Sequence, residues 1–167
     1  MSIEGKLKVV LGLEHTDADP LTNPREELPT ITNAVSSGAD EGQMDLLWHQ
    51  QFTDIDSTGT TLDLTNNSLK DSFGNSMNFS EVRMICVVAS ADNGANKNII
   101  VGNSAEPLLG WVIAGAHRVQ VPPGGVFYTY TPAAGTFDVD TNANDKLKIA
   151  ASSGTLTCDV YIGGVSN

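Results

Sequence analysis

EVRMICVVAS, residues 81–90, is the stretch on which the fold class turns. Val82, Met84, Cys86 and Val88 alternate with Ile85, Val87 and Ala89, a period of two that belongs to a strand. Apolar residues on both faces predict a central strand covered on both sides. Asp92-Asn93-Gly94 follows as a tight-turn signal, so NIIVG (98–102) is expected to return as the second strand of a hairpin.

The same periodicity recurs outward from this segment. Leu7, Val9, Leu11 and Leu13 alternate in GKLKVVLGLEHT (5–16), and Ile31 and Val35 mark a shorter piece. DLLWHQQFT (45–53) fits either a short helix capped by Asp45 or, better, an extended segment leading into DIDSTGTTLDLTN, where Leu62 and Leu64 alternate with polar residues. Further strands are expected at His117–Val121, in VFYTYT (126–131), and in the three pieces TFDVD, KLKIAAS and TLTCDVYIG of residues 136–163. Turns separate them, including Phe73-Gly74-Asn75 and Pro122-Pro123-Gly124-Gly125. About nine short strands and no amphipathic helix predict an all-β chain, a β-sandwich of jelly-roll-like build. Its expected core contains Leu62, Leu64, Phe79, Val82, Met84, Cys86, Val121, Leu147, Ile149, Val160 and Ile162.

Residues 1–44 hold the first strand and an acidic stretch, DADPLTNPREELP (17–29), with three of the seven prolines. Proline removes backbone donors and acids resist burial, so this stretch reads as an arm or a long loop. Residues 45–167 form the β-domain, as one structural unit with the first strand.

Composition narrows the function classes. Charged residues make up 17% of the chain, against roughly 25% in an average soluble domain. Short polar residues take their place: 15 Thr, 13 Ser and 13 Asn, which suit turns and β-surfaces better than helices. The net charge of −11 repels phosphate backbones and anionic lipid surfaces, so no nucleic-acid or membrane partner is expected. No apolar run is long enough for a transmembrane helix, and the start lacks the apolar segment of a signal peptide. Cys86 and Cys158 lie in apolar runs and are expected as free, buried thiols.

No motif reads as catalytic, cofactor-binding or metal-binding. His15, His49 and His117 lack metal-ligand spacing. Residues 138–145 (DVDTNAND) open like a calcium loop, but Ile149 or Ala151 stands where the distal glutamate belongs, and a polar turn explains the run more simply. The pairs Asp17/Asp19 and Asp54/Asp56 have the spacing of paired carboxylates, yet read as solvated loops. Gly124-Gly125 follows prolines and reads as a turn, not a phosphate cradle.

Four segments carry a resemblance to a known group: LDLTNNSLKDSFGNSMNFSEVRMICV (62–87), NIIVGNSAEPLLGW (98–111), VQVPPGGVFYTYTPAAGTFDV (119–139) and DKLKIAASSGTLTCDVYIGG (145–164). With GKLKVVLG (5–12) and GADEGQMDLLWHQQFT (38–53), they resemble small accessory virion proteins of tailed bacteriophages. The resemblance implies a capsid decoration, or cement, protein. It would be assembled in the host cytoplasm, sit on the virion surface as a homotrimer and have the major capsid protein as partner. A tail or head fibre domain that binds a host receptor or glycan is the alternative, with Tyr128, Tyr130 and Trp111 as candidates to stack on sugars. The resemblance brings no catalytic residues and no cofactor.

Overall fold

In the computed structural model, which describes residues 5–9, 31–102, 104–108, 110, 111 and 116–167, half of the described residues are strand and none is α-helical. The strands are β1 (Gly5–Val9), β2 (Ile31–Val35), β3 (Leu46–Ile55), β4 (Thr60–Asp63), β5 (Leu69–Lys70), β6 (Ser76–Met77), β7 (Phe79–Ala89), β8 (Ile99–Gly102), β9 (Arg118–Val121), β10 (Val126–Tyr130), β11 (Lys146–Ala151) and β12 (Leu156–Ser166). All strand pairings among the described residues are antiparallel. One four-stranded sheet has the order β10-β7-β12-β3 and a second has the order β4-β11-β8-β9. β1 pairs with β2, and β5 with β6, as separate two-stranded ribbons. Of the N-terminal reading, residues 10–30 lie outside the described residues.

Alternation explains which residues meet in the core. In the first sheet Ile85, Ile162 and Trp48 are direct cross-strand neighbours, as are Val87 and Val160. In the second, Ile149 pairs with Val101, Leu147 with Leu62, and Ile99 with Val121. All these side chains belong to one hydrophobic cluster to which both sheets contribute. Removing a Val, Leu or Ile side chain from water contributes about 1.5–3 kcal/mol, so this shared cluster is the main favourable term.

Four expectations are corrected. First, β7 and β8 do not form a hairpin: β8 lies in the other sheet, between β11 and β9. A 3-10 turn at Ala91–Asn93 carries the chain across. The buried Asn93 fixes that crossing, donating through Nδ2 to the Thr157 carbonyl and accepting from the Thr157 amide, both at 2.8 Å. Second, TFDVD is not a strand. Asp138 makes a single bridge to Glu81, while Phe137 and Val139 drop into the core. Third, the described residues hold twelve strands rather than about nine, because short pieces such as β5 and β6 pair only with each other.

Fourth, strict alternation along β7 fails at Arg83. Met84 pairs with Gly163, but Val82 pairs with the next residue, Gly164, leaving Arg83 as the extra residue of a β-bulge. The bulge reverses the facing of the strand. Val82 joins Ile85, Val87 and Ala89 in the shared core. Met84 is buried in a different cluster on the opposite face, and Cys86 is only half-buried. The remaining expected core residues are buried. Cys158 is a buried core residue, so the two free thiols project to opposite faces of one sheet.

Candidate interaction surface

The face of the β10-β7-β12-β3 sheet turned away from the shared core is the most distinctive surface of the chain. Register places Tyr128, Cys86, Tyr161 and His49 in one row across its four strands. Val126, Val88, Asp159 and Gln51 form the adjacent row on one side. Tyr130, Met84, Gly163 and Leu47 form the row on the other. A solvated face of an antiparallel sheet is ordinarily polar, whereas here apolar and aromatic side chains predominate. At opposite corners Val126 is 60% and Leu47 50% exposed.

Polar groups on this face are few and partly ordered. The His49 ring stacks on Tyr161 with centroids 4.3 Å apart and planes 13° from parallel. His49 Nε2 lies 3.0 Å from Asp159 Oδ1, and Gln51 Nε2 donates to Asp159 Oδ2 at 3.3 Å. The Tyr128 hydroxyl is shielded yet has no hydrogen-bond partner among the described residues. Burial, reinforced by Tyr130 and Cys86, pushes its pKa up to about 12. Burial also raises the Cys86 thiol above its ordinary value.

One end of the face is closed by the segment 39–44, and the bulged arginine holds it there. Arg83 is 1% exposed. Its Nη1 donates to the carbonyls of Asp40 and Gln43, and its Nη2 donates to the Ala39 carbonyl at 2.8 Å and to Glu81 Oε2 at 2.9 Å. Glu81, also buried, accepts from the Gly135 amide at 3.0 Å. The Gly42 amide donates to the Pro132 carbonyl at 2.8 Å. Met44 then packs with Met84, Tyr128, Tyr130 and Tyr161. Glycine at 163 makes room for it: a Cβ there would stand 2.7 Å from Met44 Sδ. A guanidinium suits this task because its planar fork presents several donors at once.

Other candidate residues are scattered. Trp111 packs against Phe127 at 5.5 Å on the core side, apart from Tyr128 and Tyr130. His117 is exposed just before β9 in the other sheet. His15, Asp17 and Asp19 lie outside the described residues. Asp56 Oδ1 accepts from the amides of Thr58 and Gly59, forming a turn, and Asp54 accepts from the Thr53 hydroxyl. The Gly124-Gly125 turn closes with a bond from the Gly125 amide to the Pro122 carbonyl at 2.8 Å.

In the acidic loop, Asp138 and Asp140 are exposed and Asp145 is buried. Among the described residues no three metal-ligating side chains gather. Asp145 instead accepts from the Asn142 amide at 2.8 Å and the Thr65 hydroxyl at 3.1 Å. Lys146 Nζ lies 3.1 Å from Asp145, 2.6 Å from Asp63 and 3.7 Å from Glu106. Burial acts to raise both aspartates, but hydrogen bonds and the ammonium charge outweigh it and hold them below the ordinary 3.8. Burial acts to lower Lys146, and its carboxylate partners outweigh that, leaving it above 10.5. The aspartates therefore stabilise the fold fully above the ordinary carboxylate range. That contribution is lost as pH falls through their depressed folded values. The lysine's contribution is present below its ordinary value and lost as pH rises through its raised one. Asp145→Asn is expected to cost about 1–2 kcal/mol at neutral pH and to flatten the loss of stability below about pH 4. Urea denaturation across pH 2–7 measures both.

Tyr161 and His49 are members of the outward face that the sequence reading does not bring together: it weighs His49 only as a metal ligand, and Tyr161 not at all. The signal was present: Cys158, Val160 and Ile162 buried on one side put Asp159 and Tyr161 on the other. Comparison with protein families, with curated proteins and with solved structures finds no match to this chain.

Proposed function

We propose that this chain is a non-enzymatic structural protein of the tailed-phage virion, a decoration protein. It binds the outer surface of the head as a homotrimer and stabilises the shell through contacts with the major capsid protein. The observation that carries this reading is the resemblance of segments 62–87, 98–111, 119–139 and 145–164 to such virion proteins. The sandwich architecture it implies is supported by two four-stranded sheets contributing to one hydrophobic cluster. An outer location is favoured by charge: a protomer of −11 facing a packed genome would suffer like-charge repulsion. A closed trimer on a local threefold position bridges several subunits, and each later contact forms at high effective concentration once the first has formed.

Mixing the purified protein with undecorated heads of the phage that encodes it tests this reading. Bound copies are expected to saturate at a number set by the capsid lattice, and decorated heads to resist heating better than bare ones. Deleting residues 17–29 is expected to weaken retention while leaving the melting of the β-domain unchanged. Heads that retain no protein at saturating concentration would overturn the proposal.

A further inference from the structure

We propose that the outward face of the β10-β7-β12-β3 sheet is the surface through which copies of this chain associate. This rests on the homo-oligomeric part of the reading above and assigns that association to a place.

The choice of a second copy as occupant follows from charge and composition. Acids outnumber bases 20 to 9 in this chain, so two copies repel wherever their ordinary surfaces meet. The three rows of the outward face contain one carboxylate, Asp159, and no lysine or arginine. A basic protein partner would select a cluster of acids on such a face, and an anionic lipid surface would select bases; the rows hold one acid and no base. Aromatic residues with few charges also match the composition of interface centres.

Leu47 and Val126 are exposed in the protomer and outside the core, so Leu47→Glu with Val126→Glu probes association without disturbing folding. Analytical ultracentrifugation of the full chain is expected to show a concentration-dependent oligomer. The double variant, with unchanged circular dichroism and melting, is expected to associate at least roughly tenfold more weakly, because like charges set against each other oppose contact strongly. Maleimide labelling gives a second readout. Cys86, in the central row, is expected to react on dilution and to be protected when associated, while buried Cys158 stays unreactive throughout. An oligomer unaffected by the double substitution, with Cys86 equally reactive at all concentrations, would overturn the assignment and leave head binding standing. Association through this face with no retention on heads would do the reverse. A chain monomeric at every concentration, retained on immobilised glycans and released by the same substitutions, would replace the second copy with carbohydrate.

Discussion

Arg83→Met is expected to lower stability by about 3–5 kcal/mol, the range seen when one partner of a buried ion pair is removed. The loss has two sources. Glu81 is left as a buried carboxylate without its cation, keeping the bond from the Gly135 amide, and the carbonyls of Ala39, Asp40 and Gln43 lose their shared donor. Adding Glu81→Gln is expected to restore part of the loss, because the stranded charge is gone. Full restoration is not expected, since the amide of Gly135 and the segment 39–43 still lose ionic partners. Arg83→Lys is expected to fall between, because one ammonium cannot span three carbonyls and a carboxylate. Urea denaturation measures the three variants. Limited proteolysis reports the local effect, with cleavage at 36–44 preceding global unfolding in Arg83→Met. A cost below about 1 kcal/mol, within the range of ordinary surface changes, would show that the clamp contributes little.

The second large effect concerns the shared core. Ile149 in β11 and Ile162 in β12 have no exposed surface, and they come from different sheets. Truncating either to alanine is expected to cost about 2–5 kcal/mol, through lost transfer energy and the cavity left behind. Comparable losses at both sites would mean that the two sheets stand or fall together. A change below about 0.5 kcal/mol at both, small for any core truncation, would show that these faces are not the core.

Much of this fold was legible in the sequence, because side-chain alternation is a local signal. Leu62, Leu147, Ile149, Val160 and Ile162 sit on the faces their spacing predicts. Partner choice was not legible, since it depends on bonds between distant residues. Asp92-Asn93-Gly94 looks like a hairpin turn, but the buried Asn93 side chain ties the chain to Thr157 and sends β8 into the other sheet. Likewise, the bulge at Arg83 cannot be seen in EVRMICVV, where unbroken alternation fits equally well. A charged residue inside so apolar a run was the available hint, since a buried arginine demands acceptors. Phe137 and Val139 alternate as a strand would, yet they anchor a loop. The outward face was half legible: Tyr128 and Tyr130 stood out by spacing, whereas Tyr161 and His49 joined them only through register. Trp111, grouped with the tyrosines as a possible sugar platform, packs on the other side of the sheet.

Electron microscopy of the intact particle tests the central proposal most directly. The expected result is density for the two-sheet β-domain on the outside of the head, repeated at threefold or local threefold positions and touching several capsid subunits at each. Density for this chain on the tail, or inside the shell against the genome, would contradict it.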